Sequence, residues 1–369
     1  MRHRTRFPFL LALAVTWPSL ALAQTAGSGS PRQTRRGQLT GDALARYEWT
    51  KDIPADDGGT TDESRWRVQW RPRVEMSVGP LDLGVGGELN YSQDRNDRPP
   101  AGLAELAIIR DNYRSRDVRL DLAYGRVRLG ALEVEAGRFA MPVALTEMIW
   151  DRDLRLQGGA AALDLGGADS ASRLVLRGFY AVGSHVYEDE SSVFGGAAEL
   201  TLGARTTSRL QLVGSYLEFR DLERLDPVLR RQNTVVDERL VRDYRVADAV
   251  LRLTTDGPLT LVADYCWNTA LSSANRGLWL SATLGALDTT RGTIEYTYAR
   301  VDEDATVAAL NTDDFYWNTA WEGHRIDAAT GNAKGGGLHA ITQWQRPKGA
   351  GAAAGEWVKR WRLEWRGSF

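Results

Sequence analysis

The residues able to do nucleophilic, acid–base or metal chemistry are few and scattered. Beyond position 23 the chain has three histidines, His185, His324 and His339, and a single cysteine, Cys266. A catalytic triad or dyad needs its base within hydrogen-bond reach of a nucleophile, and no motif around these histidines announces one. Cys266 lacks a second thiol or a nearby histidine for metal or redox work. The run GAGAAAGE from Gly349 has the glycines of a phosphate loop without the Lys-Ser/Thr that would make it one, and reads as a flexible hairpin loop. The chain is therefore read as no enzyme, with no catalytic residues, no metal and no cofactor. What it has in abundance is charge, 46 Lys and Arg against 48 Asp and Glu. Much of it falls at alternate positions, as in Arg65, Arg67 and Arg73, or Arg360, Arg362 and Arg366. Spacing by two puts such residues on one face of a strand.

The last thirteen residues, WVKRWRLEWRGSF, show what the other face does. Trp357, Lys359, Trp361, Leu363, Trp365, Gly367 and Phe369 share one side, and Val358, Arg360, Arg362, Glu364, Arg366 and Ser368 the other. A greasy face opposite three arginines suits a barrel with lipid outside and water inside. Trp361, Leu363, Trp365 and the terminal Phe369 resemble the closing strand of bacterial outer-membrane barrel proteins. That resemblance implies a signal read by the barrel-assembly machinery.

The amino end reads as an export signal. Met1 to Ala23 has a basic start (Arg2, Arg4, Arg6), an apolar run shorter than a spanning helix needs, and the small-residue ending ALA. Residues 24–38 are rich in Ser, Gly and Arg and read as a flexible periplasmic lead-in. Residues 39–369 are left for an outer-membrane barrel. Without a disulfide framework, and with a net charge of −2 that becomes −5 once the three signal arginines are removed, nothing calls for nucleic acid.

Alternation is continuous from Leu39. Strands are expected from Leu39 to Trp49, Trp66 to Val78, Leu81 to Tyr91, Asp117 to Leu129, Leu132 to Ala140, Ala160 to Gly167, Ser172 to Val182 and Val193 to Gly203. Further strands are expected from Arg209 to Phe219, Arg245 to Thr254, Leu259 to Asn268, Gly277 to Leu287, Gly292 to Val301, Gly323 to Ala329, Gly337 to Arg346, and at the closing segment. The fold class is all-β: a transmembrane antiparallel barrel of about 16 strands, with short periplasmic turns such as Gly79-Pro80 and Gly130-Ala131 and long external loops. Outward aromatics gather where odd strands end, as an interfacial girdle should: Tyr47, Trp49, Tyr91, Tyr180, Tyr216, Tyr265, Trp267, Tyr296, Tyr298 and Trp344. Parity points Phe139 inward and switches near Gly125, where a bulge is expected. The stretch Gly102 to Arg114 extends the fourth strand or forms a short helix. The segment Arg220 to Asp243 forms an amphipathic helix or a lid over the mouth. Two acidic runs, Tyr187 to Glu190 and Asp302 to Asp304, sit in external loops as solvated carboxylates or as holders of divalent ions.

About 16 strands leave an aqueous channel. Both charge signs line it, which fits cross-strand ion pairs in a hydrated wall. Yet Arg65, Arg67, Arg73, Arg360, Arg362 and Arg366 crowd the strands that meet where the barrel closes, and a basic stripe there would bias passage toward anions.

One stretch makes the reading specific. The series "GR, P, T-E, W-D-x-D-L, Q-G" within Gly137 to Leu165 is similar to the putative porin family of outer-membrane proteins, with a looser likeness to phosphate-selective porins. The region Asn311 to Asp327 and the strand layout support it weakly. The resemblance implies a loop that folds into the pore, homotrimers, and Glu147, Asp151, Arg152, Asp153 and Arg155 as constriction residues whose opposed charges select solutes. The same charges also read as local salt bridges that pin the loop, and the two readings are compatible. The function expected is passive diffusion of small hydrophilic solutes across the outer membrane of a Gram-negative bacterium, among lipid and lipopolysaccharide. The alternatives are a barrel dedicated to an acidic saccharide, resembling the alginate-export proteins, and a plugged barrel acting as adhesin or envelope anchor.

Overall fold

The computed structural model describes residues 36–54, 59–92, 117–166, 171–182, 191–203, 208–225, 230–237, 239–240, 244–285, 292–332, 336–348 and 357–369. The export signal, nearly all of the lead-in, the stretch Gly102 to Arg114, His185, the acidic run Tyr187 to Glu190 and the Gly349 loop lie outside these residues.

Strands β1 (Arg36–Pro54), β2 (Thr60–Val78), β3 (Leu81–Ser92), β4 (Asp117–Leu129), β5 (Leu132–Ala140), β6 (Arg155–Asp164), β7 (Ser172–Val182), β8 (Ser192–Leu202) and β9 (Arg209–Arg220) follow one another in antiparallel neighbours. Two short strands, β10 (Val235–Val236) and β11 (Arg239–Leu240), form a separate hairpin. The wall resumes with β12 (Tyr244–Thr254), β13 (Leu259–Asn268), β14 (Arg276–Gly285), β15 (Thr293–Val301), β16 (Trp321–Asn332), β17 (Gly336–Pro347) and β18 (Val358–Ser368). β1 pairs with both β2 and β18, so the sixteen wall strands close into a barrel. Closure leaves no sheet edge, which is the condition for a sheet to satisfy its backbone in lipid.

The alternation places side chains as expected. Leu39, Val85, Leu120, Tyr180, Tyr265, Leu284 and Leu363 are exposed on the outside, whereas Glu48, Arg67, Glu88, Asp264 and Arg362 are buried on the inside. Gly79 and Gly130 adopt φ of 62° and 63°, a backbone that favours glycine in the tight turns after β2 and β4. At the seam, Trp49 faces Trp361 with ring centroids 5.2 Å apart, and Phe369 stacks on Trp70 at 6.4 Å.

The structure also departs from the expected pattern. β1 begins at Arg36, ahead of Leu39, so the end of the assigned lead-in is already wall. β6 begins at Arg155, not Ala160, and takes Arg155 out of the loop. The bulge in β4 falls at Asp121 rather than Gly125. Gly86 pairs with Leu122 and Gly87 with Leu120, leaving Asp121 as the extra residue, so that Asp121 and Leu122 are both buried. Phe139 does point inward, at 1% exposure. Among its described residues, the segment after β9 holds a 3-10 turn, Leu222–Arg224, and the β10–β11 hairpin, and no α-helix.

Candidate pore constriction

Inside a water-filled barrel the inward positions should be polar. On β9, β12 and β14 several are not: Val213, Leu217, Val246, Val250 and Trp279 all face in and are buried. An apolar strip of wall has to be covered, and the loop after β5, residues 141–154, covers it. Its Val143, Met148, Ile149, Trp150 and Leu154 join these wall residues and Phe139 in one buried cluster. Each such side chain contributes about 1.5–3 kcal/mol when removed from water. The turn carrying them is set by Ile149 N donating to Thr146 O at 3.1 Å and Leu154 N to Asp151 O at 3.1 Å.

Polar contacts fix the loop at several points of the wall. The Thr146 hydroxyl donates to Asp264 on β13, and Ala144 N to Glu199 on β8 at 3.3 Å. Asp153 meets Arg71 at 2.9 Å and Arg67 at 3.4 Å, both on β2. Just past the loop, Arg155 at the start of β6 meets Asp121 on β4 at 2.8 Å. Glu147 is 3.3 Å from Arg325 on β16.

A second loop, residues 302–320 between β15 and β16, also folds inward. Ala305, Val307, Leu310 and Phe315 are buried in the same cluster, with Phe315 stacked on Trp321 at 4.4 Å. The two loops are knitted by their backbones. Asp151 N donates to Leu310 O at 2.8 Å, Thr312 N to Glu147 O at 2.9 Å, and Asp313 N to the Asp151 carboxylate at 3.2 Å. Asp314 is the hub: Arg362 of β18 lies at 2.8 Å, Arg46 of β1 at 3.1 Å, Arg152 of the first loop at 3.4 Å and Arg325 at 3.9 Å. The segment before β12 caps the assembly. Arg231 donates to Ala308 O at 2.8 Å, and Asn233 to Thr306 O at 2.9 Å. Asp304 is buried, accepting from the Tyr244 hydroxyl at 2.5 Å and the Thr234 hydroxyl at 2.6 Å, so it is not a solvated loop carboxylate.

Burial pushes the carboxyls of Asp314 and Asp153 up, but the guanidiniums outweigh it. Arg362, Arg46 and Arg152 hold Asp314 well below the usual carboxylate range, and Arg71, Arg67 and Arg152 do the same for Asp153. Exposure then separates the group that meets water from those that do not. The Arg152 side chain is 51% exposed, against 20% for Glu147, 13% for Asp153 and 8% for Asp314.

No protein-family model matches the sequence, and no curated protein does. Among solved structures, the barrel is similar to OprB of Pseudomonas putida in its high-pH structure, with a TM-score of 0.57 and 11% identity over 90% of this chain and 94% of that one. The chain has the porin fold. A mutant of the Rhodopseudomonas blastica porin matches 90% of this chain and all of that one at 12% identity and a TM-score of 0.49. At such identities the likeness is one of architecture, so residue roles in this porin barrel rest on its own geometry.

Within the porin barrel, Glu147, Asp151, Arg152 and Asp153 share the inward loop, while Arg155 opens β6 beside them. Asp151 braces the two loops rather than facing the lumen, at 3% exposure. The six arginines of the expected stripe are on inward positions, and each has a carboxylate: Arg65 with Glu48 at 2.7 Å, Arg67 with Asp153, Arg73 with Asp42 at 3.0 Å, Arg360 with Glu48 at 3.5 Å, Arg362 with Asp314 and Glu48, and Arg366 with Glu364 at 2.5 Å. Trp361, Leu363, Trp365 and Phe369 face outward, all more than a third exposed. Sequence reasoning missed Arg71, which continues the alternation of Arg65 to Arg73, and Asp314. Apolar residues at inward parity on β9 and β12 were the signal that something must pack against that wall.

Proposed function

We propose that this chain is an outer-membrane porin, a passive channel for small hydrophilic solutes with an anion bias set at its narrow part. The observation that carries the reading is Arg152, the half-exposed charged group on a loop pinned across the lumen of a closed barrel with an apolar, aromatic-rimmed exterior. Its carboxylate partners, Asp314 at 3.4 Å and Glu147 at 3.6 Å, are shared with other arginines, so the exposed guanidinium gives the passage a local positive potential. In this reading residues 1–23 direct export and are removed, residues from 24 lead into the barrel, and the outer membrane of a Gram-negative cell receives it with lipopolysaccharide around its girdle. Trp361, Leu363, Trp365 and Phe369 are the face offered to the barrel-assembly machinery, and homotrimers are the expected state.

The test is conductance of the refolded chain, residues 24–369, in a planar bilayer across a potassium chloride gradient. Stepwise current with a reversal potential of anion-selective sign supports the proposal, and loss of that sign in Arg152→Ala locates the bias. A second reading, a plugged barrel serving as anchor or adhesin, draws on the buried cluster formed by the two loops. A folded barrel that inserts without current would favour it. The acidic-saccharide reading has less support, since the arginines it would use are already paired.

A further inference from the structure

The outward side of strands β12 to β17 differs at its two rims. At the rim of the short turns the last outward residues are Leu253, Leu259, Leu284, Ile294, Thr330 and Leu338, none of them charged. At the opposite rim, from which residues 141–154 and 302–320 descend into the lumen, they are Arg245, Trp267, Arg276, Arg300, Glu322 and Arg346. Strand register sets these side by side. Trp267 pairs with Arg276, Arg300 with Glu322, and Glu322 with Arg346, while Arg245 lies two residues from the partner of Trp267.

Four guanidiniums thus share a strip of outer wall with one carboxylate. Glu322 takes Arg346. Arg300, 53% exposed, has Asp302 at 3.9 Å, and Lys348 already holds that carboxylate at 2.7 Å. Arg245 and Arg276 are exposed, and neither side chain has a carboxylate within ion-pair distance among the described residues. One step away from the rim the wall turns aromatic and apolar with Tyr265, Leu278, Tyr298 and Trp344. His324 sits among them, hydrogen-bonded to Tyr296 at 2.8 Å and stacked on Trp344 at 5.4 Å.

We infer that this strip holds the phosphorylated headgroup of an outer-leaflet lipid, with guanidiniums on its phosphates and its acyl chains along the aromatic and apolar wall. The inference rests on the porin reading above and names one partner of the outer surface. An arginine on the lipid side of a barrel is costly unless it reaches the headgroups, and there the anion it meets is phosphate. The planar guanidinium offers paired N–H donors that match two phosphate oxygens. Trp267, between Arg245 and Arg276, marks the headgroup level, where indole rings settle. Four arginines less one carboxylate leave an excess of three positive charges on the strip, so a lipid with two phosphates fits it better than one with a single phosphate.

The test uses the refolded chain, residues 24–369, in detergent with bis-phosphorylated lipid A, its monophosphorylated form and the fully dephosphorylated lipid. Native mass spectrometry reads the lipid retained. Retention should fall in that order, and retention of the bis-phosphorylated form should fall about tenfold in the double variant Arg245→Gln/Arg276→Gln, checked for the heat-modifiable folded form. Arg128→Gln, at the opposite rim and 55% exposed, should retain as much lipid as the parent. Equal retention of the three lipids, or an unchanged double variant, overturns the site, and a current through that barrel leaves the channel standing. Phosphate-dependent retention by a folded barrel that passes no current upholds the site and sinks the channel.

Discussion

Phe369 closes the barrel on Gly41. Its N–H donates to the Gly41 carbonyl at 3.1 Å, the Gly41 N–H donates back to the Phe369 carbonyl at 3.1 Å, and a Cβ on Gly41 would meet the Phe369 ring at 2.5 Å. The last residue thus completes the ladder that joins the two ends of the chain, and the glycine leaves room for its ring. Gly41→Val should push the ring away and lower the yield of closed barrel several-fold. Removal of Phe369 should do the same through the two lost hydrogen bonds. The heat-modifiable band shift on a denaturing gel measures both. A normal folded yield in Gly41→Val would show that the ring's seat is irrelevant to closure.

Thr146 holds the far end of the first loop to Asp264. Thr146→Val keeps the shape and removes the donor, leaving a buried carboxyl short of a partner at a cost of about 1–3 kcal/mol. The loop should detach part of the time, giving noisier and larger single-channel steps. Cys266, fully buried on the inner face of β13, provides an independent readout. A maleimide that spares the parent barrel should label the variant. Unchanged labelling would mean that the apolar cluster alone holds the loop.

Arg152 and Arg362 both reach Asp314, yet they differ in what water sees. Arg362 is buried, so Arg362→Ala takes a buried partner from both Asp314 and Glu48 and should cost about 3–5 kcal/mol. Arg152 is half-exposed, so Arg152→Ala should leave stability within about 1 kcal/mol and change the reversal potential. Guanidinium melts and bilayer selectivity, taken on both variants, separate the two roles. Equal effects on both measurements would undo the distinction.

The loops should respond to acid and not to mild changes of pH. The folded-state carboxyls of Asp314 and Asp153 are depressed, so their contribution is present above the unfolded carboxyl value of about 3.9 and lost as pH falls below it through the folded value. Conductance should be steady from neutral pH to about 4 and become unstable only in stronger acid. A transition near pH 6 would point to other groups.

The wall was legible because a strand between lipid and water writes its register in every second residue; Trp361, Leu363 and Trp365 could hardly be read otherwise. The Asp121 bulge was displaced by a few residues because Leu122, although apolar, is also buried on the inner side, so the parity switch looked later than it was. The lumenal contents were less legible. Asp314 has no local signature as a hub, since its partners lie on β1, β16, β18 and the first loop, and only the closed barrel brings them together. The arginine stripe was read as a bias toward anions beside cross-strand ion pairs, because alternation reveals which face a residue takes but not which carboxylate a neighbouring strand or a distant loop will supply.

Asp314 binds one guanidinium from the first wall strand and one from the last. Those two arginines become neighbours only when β1 and β18 have zipped, so in an open sheet the second loop lacks this anchor and keeps only its contacts away from the seam. The Asp314 junction is therefore complete only in a barrel that has already sealed. A barrel whose seam is open should therefore hold residues 302–320 less firmly and expose them more readily to a protease.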